Sequence, residues 1–169
     1  MNKADKHKEK MEKLTVKTEA KALRTARRNF SRLTENEIAQ IIIGCAGKVH
    51  KLLGSGLSKS AYQECMGFVL NRTVLEIERR KMLPIMHKDV EPDGAFMVDF
   101  IANKKVILEI KAMDGPDDCL HAKMQTCLRH SGCKAGLIID FNVDQLTNGI
   151  KRVINNNYRC RSLRIAPHN

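Results

Sequence analysis

A short apolar segment of the chain, Val106–Lys111, is interrupted by two charged residues, Glu109 and Lys111. The remaining residues of the segment are aliphatic, and such a run is typical of a buried strand. Because side chains alternate along a strand, Glu109 and Lys111 project from the same face. Burying an acid and a base costs free energy unless they pair with each other or bind a ligand. The segment therefore predicts a buried strand that carries either an ion pair or a functional site.

Asp99 adds a second acid to this region. It lies in the preceding extended segment, Phe96–Ile101, and the two segments are joined by Asn103-Lys104, which is typical of a two-residue turn. A turn of this length makes the two strands neighbours, so a favourable register brings the carboxylates of Asp99 and Glu109 together. The hairpin therefore predicts a pair of acids at one place on a sheet.

Two converging carboxylates have a specific chemical use. Together with a backbone carbonyl, here that of Ile110, Asp99 and Glu109 offer the hard oxygen ligands that Mg²⁺ prefers. A bound ion would activate a water molecule, and Lys111 would hold that water or help to deprotonate it. The alternative is a cross-strand salt bridge between Lys111 and one of the acids, which needs no metal. The spacing of these residues leaves both interpretations open.

The rest of the sequence predicts helices and strands around this hairpin, in the order α-α-β-β-β-β-α-β. Thr34 and Glu37 form a capping box at the start of the first helix. The predicted helices start at Thr34, at Ser58 or Ser60 and at residues 116–118, and they end at residues 54–56, at about Arg72 and at Gly132. The predicted strands are 74–78, 84–87, 96–101, 106–111 and 135–139, and residues 144–158 hold a helical turn and a further strand.

Basic residues are concentrated in the N-terminal part of the chain. Residues 1–33 contain eleven bases and four acids, and the whole chain has a net charge of +11. We therefore expect a basic arm at 1–33, flexible or partly helical, a globular domain at 34–155 and a basic tail at 156–169. Such an excess of positive charge favours a polyanionic partner, since neutralising phosphates releases counterions. The alternative is a solvated leader with no partner.

The apolar segments and the cysteines exclude two classes of protein. The longest nearly apolar stretch, residues 38–47, has ten residues, whereas a membrane-spanning helix needs roughly 18. The first thirty residues contain no apolar segment of the kind that a secretory signal has, so we expect a cytoplasmic protein. The six cysteines form no CxxC pair and are expected to be reduced thiols rather than a disulfide framework.

Several separated motifs occur in an order that resembles a known family. Asp99, the triplet Glu109-Ile110-Lys111 and Gln125 on the following helix resemble the PD-(D/E)xK nuclease superfamily. The longer pattern resembles the GxxExxY group of that superfamily and covers roughly residues 35–155. Its supporting segments are 54–57 with Tyr62, 106–112, His121, 128–129, 136–142 and 149–152. Pro92-Asp93-Gly94 also contains letters of the motif but is better explained as a turn, so Asp99 is the expected acid.

The resemblance implies both a fold and an activity. The fold is an α/β (α+β) domain with a restriction-endonuclease-like core, in which helices flank a mixed central sheet. Asp99 and Glu109 are implied as ligands of Mg²⁺ or Mn²⁺, and Lys111 as the catalytic lysine. Gln125 is implied to face the same site from the third helix. The implied activity is hydrolysis of phosphodiester bonds in nucleic acid, with DNA as the expected substrate and no membrane partner.

One position departs from the motif of the GxxExxY group. Where the motif has Glu three residues after Gly56, this chain has Lys59, while the tyrosine of the motif is retained as Tyr62. A lysine cannot bind Mg²⁺ and adds a positive charge, so we interpret Lys59 and Tyr62 as contacts to phosphate or nucleic acid. His121 has the same interpretation, with an ordinary polar helix face as the alternative. The departure leaves a second hypothesis, a nuclease-like module without catalysis that binds nucleic acid or a protein partner.

Overall fold

A computed structural model describes residues 33–84, 95–112 and 117–156. Almost all of the predicted basic arm and tail, and the predicted turn at 92–94, lie outside the described residues. Within them the chain forms α1 (Glu35–Leu53), α2 (Lys59–Leu70), β1 (Ile77–Pro84), β2 (Ala95–Ala102), β3 (Val106–Lys111), α3 (Asp117–Ser131), β4 (Ala135–Asp140), a short 3₁₀ turn (Leu146–Gly149) and β5 (Ile150–Ile154). None of the helices in this part of the chain has both the length and the apolar character needed to span a membrane.

Local capping interactions begin the first two helices. At the start of α1 the Thr34 N–H donates to the Glu37 carboxylate at 2.8 Å, and the Glu37 N–H donates to Thr34 Oγ1 at 3.3 Å. The helix ends at Gly54, whose φ of +70° suits a residue without a Cβ atom. Ser58 begins α2 by accepting the Ala61 N–H at 3.3 Å. The predicted capping box is confirmed, and Ser58 rather than Ser60 caps the second helix.

The five strands form one mixed sheet in the order β1-β2-β3-β4-β5. Strands β3 and β4 are parallel, and the other neighbouring pairs are antiparallel. The β2–β3 hairpin turns at Asn103 and Lys104, whose φ values are +50° and +56°, as a two-residue turn with both central residues left-handed requires. The predicted turn at Asn103 and Lys104 is therefore confirmed, but the loop is one residue longer than predicted, because Lys105 also lies between the paired residues Ala102 and Val106. The predicted fold class of a mixed sheet flanked by helices is confirmed.

Helices cover both faces of the sheet. The buried face of α3 packs against a cluster of strand residues that includes Ile107 and Ile138. Because side chains alternate, the neighbouring Leu108 and Leu137 point to the opposite face, where α1 contacts β3 and β4 and α2 contacts β3. The core thus lies on both sides of β3 and β4, and these two strands are buried along almost their whole length.

The first strand differs from the prediction. The predicted strands 74–78 and 84–87 are replaced by a single strand, β1, which pairs with β2 over its length, and residues 85–87 lie outside the described part of the chain. Leu75 is excluded from the strand because its N–H donates to Thr73 Oγ1 at 3.2 Å in a local turn. Most residues of β1 are exposed, so the strand has no apolar alternation to mark it. The observed element order is therefore α-α-β-β-β-α-β-β.

Candidate active site at a split in the sheet

The sheet opens between β2 and β3. These strands pair at only three positions, all beside the hairpin turn, the last of which joins Phe100 to Leu108. Both strands continue beyond this pair, and β3 pairs with β4 along its full length. Val98 and Ile101 both face α3, so the alternation of side chains along β2 breaks between them. The break and the split coincide at Asp99.

The β1–β2 ladder is also irregular at this point. Its register skips one position, where Arg80 lies across from Asp99. Arg80 has a φ of +47°, in the left-handed region that a residue with a Cβ atom adopts at a cost. The backbone is therefore distorted in β2 at Asp99 and in β1 at Arg80. This distortion turns the Asp99 carboxylate out of the regular alternation of side chains in the sheet.

The Asp99 carboxylate takes the place of the missing ladder. Its Oδ2 accepts the Ile110 N–H at 2.7 Å, and its Oδ1 accepts a hydrogen bond from Gln63 Nε2 on α2 at 2.7 Å. The side chain is nearly buried, with 7% of its residue surface exposed. A buried N–H without an acceptor is costly, so the carboxylate stabilises β3 where β2 has moved away. Asp99 is thus fixed from two sides.

Glu109 lies opposite Asp99 and is fully buried. Its Oε1 accepts a hydrogen bond from Lys123 Nζ at 2.9 Å, and the same ammonium donates to the Met97 carbonyl oxygen at 3.0 Å. Lys123 therefore connects β3 to β2 across the split from its position on α3. The other oxygen, Oε2, has no hydrogen-bond partner among the described residues.

Lys59 contacts both acids. Its Nζ lies 3.0 Å from Asp99 Oδ2 and 3.5 Å from Glu109 Oε2. It is the first residue of α2, directly after the Ser58 cap, and its side chain is 37% exposed. A single cation thus reaches one oxygen of each carboxylate, as the sequence predicted for a metal ion, although here the cation is an ammonium group.

The electrostatics of the site follow from this arrangement. Burial raises the pKa of the Glu109 carboxyl, and the neighbouring Asp99 charge raises it further. Lys123 and Lys59 act in the opposite direction, because an ammonium group favours the ionised form. Two carboxylates and two ammonium groups therefore balance at the split. The ionised form of Glu109 therefore depends on a neighbouring cation, which can be an ammonium group or a metal ion.

Lys111 lies beside this cluster at the end of β3. Its Nζ is 3.1 Å from Asp140 Oδ2, and the two residues are opposite each other in the parallel β3–β4 register. Asp140 is itself fixed, because its Oδ1 accepts the Asn142 N–H at 2.9 Å. Lys111 thus forms an ion pair with an acid on the other neighbouring strand, one that the sequence analysis did not consider.

Helix α3 presents its predicted site residues on a different flank from Lys123. His121 and Gln125 lie two positions either side of Lys123, and two residues along a helix correspond to about 200° of rotation. His121 is exposed and Gln125 is half-buried. In the described structure neither side chain forms a hydrogen bond with Asp99 or Glu109. The helix contributes to the acid pair through Lys123.

Tyr62 is part of the scaffold beneath Lys59. Its hydroxyl donates to the Gly54 carbonyl oxygen at 2.7 Å and accepts the Leu57 N–H at 3.3 Å. The ring is buried and stacks on Phe141 with centroids 4.4 Å apart. Tyr62 therefore holds the loop that precedes α2 and so sets the position of Lys59, and in this placement it offers no surface to a phosphate.

Sequence reasoning missed two polar residues of the site, Gln63 and Lys123. A signal existed for Gln63, because residues four apart on a helix share a face and Lys59 precedes it by that spacing. No comparable signal marked Lys123. The unpaired charge of Glu109 required a cation, but the sequence contains many lysines and the docking of α3 on the sheet selects one of them.

The candidate metal ligands are the two acids and one carbonyl. No group of three or more His, Cys, Asp or Glu side chains is arranged for a metal within the described ranges. Asp99, Glu109 and the Ile110 carbonyl remain as donors, and Mg²⁺ is commonly held by only one or two carboxylates with water and substrate phosphates. The donor chemistry of the split therefore suits a hard divalent cation rather than a closed structural zinc site.

Comparison with known proteins agrees with this geometry. Residues 36–153 match the PD-(D/E)XK nuclease superfamily. A search of curated proteins and a search of solved structures each found no significant match. The match includes the first four strands and all but the last residue of β5, both acids of the split and the lysine that follows Glu109. The chain therefore belongs to the PD-(D/E)XK nuclease superfamily.

Proposed function

We propose that the domain hydrolyses phosphodiester bonds in nucleic acid, with DNA as its substrate and Mg²⁺ or Mn²⁺ as its cofactor. One observation carries the proposal: the Lys59 ammonium touches one oxygen of Asp99 and one of Glu109, so a single cation bridges the two carboxylates. Membership of a nuclease superfamily supports the reaction class. The order of the motifs supports a place in the GxxExxY group.

The acid pair fits a divalent cation. Glu109 is fully buried, and its Oε2 has no hydrogen-bond donor in the described structure. A buried carboxylate oxygen without a donor is costly, and a hard cation is one group that satisfies it. We propose that Asp99, Glu109 and the Ile110 carbonyl hold the ion. When bound, it supplies an activated water and neutralises charge on the phosphate under attack.

The remaining side chains position these groups. Gln63 and the Ile110 N–H hold Asp99, and Lys123 holds Glu109. Lys111 is oriented by Asp140, so we propose that it donates to the attacking water and to the phosphate rather than acting as a base. We propose that Gln125 and His121, on the other flank of α3 from Lys123, contact the nucleic acid away from the acids.

The basic arm is proposed to add affinity without sequence specificity. Residues 1–33 carry eleven bases against four acids. Phosphate contacts made by lysine and arginine strengthen binding through counterion release, so this contribution falls as salt increases. Deletion of the arm should therefore weaken DNA binding at moderate salt and leave the reaction at the acid pair intact.

The proposal is tested by cleavage assays on the full chain. Supercoiled DNA and a structured RNA are each incubated with Mg²⁺, with Mn²⁺ or with EDTA, using the wild type, Glu109→Gln and Glu64→Gln. Glu64 is a matched control because it pairs with Arg79 on the surface and touches neither acid of the split. We expect Glu109→Gln to lose more than the tenfold to about hundredfold that is typical of outer-shell partners. Metal-dependent cleavage that survives Glu109→Gln would refute the assignment.

A second function is favoured by the charge balance of the split. Lys59 and Lys123 already pair with Asp99 and Glu109, so the charges of the cluster balance without a metal ion. A nuclease-like module without catalysis would bind nucleic acid through its excess of basic residues alone. It would bind DNA equally well with EDTA and with Mg²⁺ and would leave the DNA uncut. Equal binding together with no cleavage in either metal selects this function over hydrolysis.

A further inference from the structure

We infer that Lys59 is a tethered cation that competes with the divalent ion for Asp99 and Glu109, so that the metal enters only when this ammonium group leaves. The inference rests on the proposed function, because it concerns the same acid pair. Lys59 Nζ lies 3.0 Å from Asp99 Oδ2 and 3.5 Å from Glu109 Oε2. Two cations repel strongly at such distances in a partly buried site, so these oxygens serve one cation at a time.

Lys59 is the group in the cluster that can leave. Its side chain is 37% exposed, whereas the Asp99 and Glu109 side chains are 8% and 0% exposed. The ammonium ends a flexible four-carbon stem, so rotation about the stem carries it to solvent without movement of the backbone. The carboxylates have no such freedom, since Gln63 and the Ile110 N–H fix Asp99.

Lys123 has a different role. It bonds to Glu109 Oε1 and to the Met97 carbonyl oxygen, and so ties the two separated strands together. Its contacts leave Oε2 of Glu109 open, which is the oxygen that faces Lys59. Lys59 is therefore the cation that a divalent ion would replace, while Lys123 keeps Glu109 in place.

Competition at this site couples the binding of the metal ion to the binding of nucleic acid. A phosphate that approaches the split offers Lys59 an alternative anion, and pairing with it withdraws the ammonium from the acids. By linkage, each ligand then strengthens the binding of the other. We expect the wild type to bind Mn²⁺ more tightly in the presence of an uncleavable phosphorothioate DNA, and a variant without the ammonium to show little of this coupling.

The experiment is a calorimetric titration of the full chain with Mn²⁺. The variants are Lys59→Met, which removes the ammonium and keeps the stem length, and Lys81→Met as the control. Lys81 is a surface lysine paired with Glu78 and contacts neither acid of the split. We expect Lys59→Met to bind Mn²⁺ about tenfold more tightly or better, and Lys81→Met to match the wild type. Equal affinity of Lys59→Met and the wild type overturns the inference, and so does weaker binding by Lys59→Met.

A measurement on the wild type covers the case in which Lys59→Met does not fold. Lysines are acetylated briefly with a soluble reagent, with and without saturating Mn²⁺, and the modified sites are quantified by mass spectrometry. Release of the ammonium predicts faster acetylation of Lys59 in Mn²⁺ and no change at Lys81. An unchanged rate at Lys59 overturns the inference.

The two proposals fail in different ways. Tighter Mn²⁺ binding by Lys59→Met with no cleavage in any metal upholds the competition and refutes hydrolysis. Cleavage by a wild type that binds Mn²⁺ as tightly as Lys59→Met upholds hydrolysis and refutes the competition. Absence of Mn²⁺ binding in both proteins refutes the competition and removes the metal from the proposed function.

Discussion

The two edges of β3 are built by different interactions. On the side of β4, each of the six residues of β3 has a partner in a parallel ladder, and the strand is buried. On the side of β2, the ladder ends at Leu108, and the carboxylate of Asp99 and the ammonium groups of Lys59 and Lys123 span the gap. We refer to these as the closed side and the split side.

The comparison shows how one strand supports both stability and a site. Ile107 and Glu109 are two residues apart on the same strand, and both are fully buried. Ile107 belongs to the apolar cluster under α3, which is the dominant kind of stabilisation in a small domain. Glu109 is buried with its charge, which opposes folding unless cations accompany it. The apolar cluster under α3 thus offsets the cost of the charge buried at the split.

The largest effect is expected in the apolar cluster under α3, away from the split. Ile107→Ala removes a fully buried side chain from the cluster under α3, and we expect a loss of about 2–5 kcal/mol in the free energy of unfolding. Urea denaturation measures it. The matched control is Met97→Ala on the split side, whose side chain is 51% exposed, with an expected change within about 0.5 kcal/mol. Equal losses for the two variants would contradict the conclusion that the apolar cluster under α3, rather than the split, stabilises the domain.

A smaller effect is expected where a side chain replaces the ladder. Asp99→Ala leaves the Ile110 N–H without its acceptor, and we expect a loss of about 1–3 kcal/mol. Asp99→Asn keeps an oxygen at the same place and should lose less. Amide hydrogen exchange gives the specific readout, because the Ile110 amide should exchange quickly in Asp99→Ala and slowly in Asp99→Asn and in the wild type. A protected Ile110 amide in Asp99→Ala would show that β2 closes on β3 without the carboxylate.

The smallest effect is expected in thiol labelling, which leaves stability unchanged and reports on the packing of α3. Burial raises the pKa of the Cys127 thiol to about 11, whereas Cys119 on the same helix is exposed. The thiolate is the reactive form, so at pH 8 a thiol reagent should label Cys119 quickly and Cys127 only when the domain opens. Because the pKa of Cys127 is raised, its thiolate stays scarce until the pH approaches 11. Rapid labelling of Cys127 at pH 8, located by mass spectrometry, would mean that α3 does not cover the apolar cluster beneath it.

Much of the fold could be predicted because its signals are local. The capping box of Thr34 and Glu37 and the turn at Asn103 and Lys104 each depend on residues a few positions apart. The alignment of Asp99 with Glu109 depends in addition on Lys105, a third loop residue, because a two-residue loop would place Asp99 across from Leu108. Strand β1 was not predicted correctly, because its exposed and charged residues form a strand only through pairing with β2.

The site was harder to predict because its cations come from distant elements. The sequence indicated that Asp99 and Glu109 need a cation, but not that Lys59 and Lys123 reach them from two helices. These contacts depend on how α2 and α3 dock on the sheet, which no local pattern specifies. The split itself depends on the left-handed backbone of Arg80 and on the broken alternation at Asp99, and neither has a glycine or proline to mark it.

The central claim is that Asp99 and Glu109 meet across the split so that one cation bridges them. The most direct test is a crystal structure of the full chain grown with Mn²⁺, in which anomalous scattering locates the ion. We predict one ion in contact with a carboxylate oxygen of each residue, with the Lys59 ammonium displaced towards solvent. An ion bound away from these two residues, or Lys59 still between them at saturating Mn²⁺, would contradict the account.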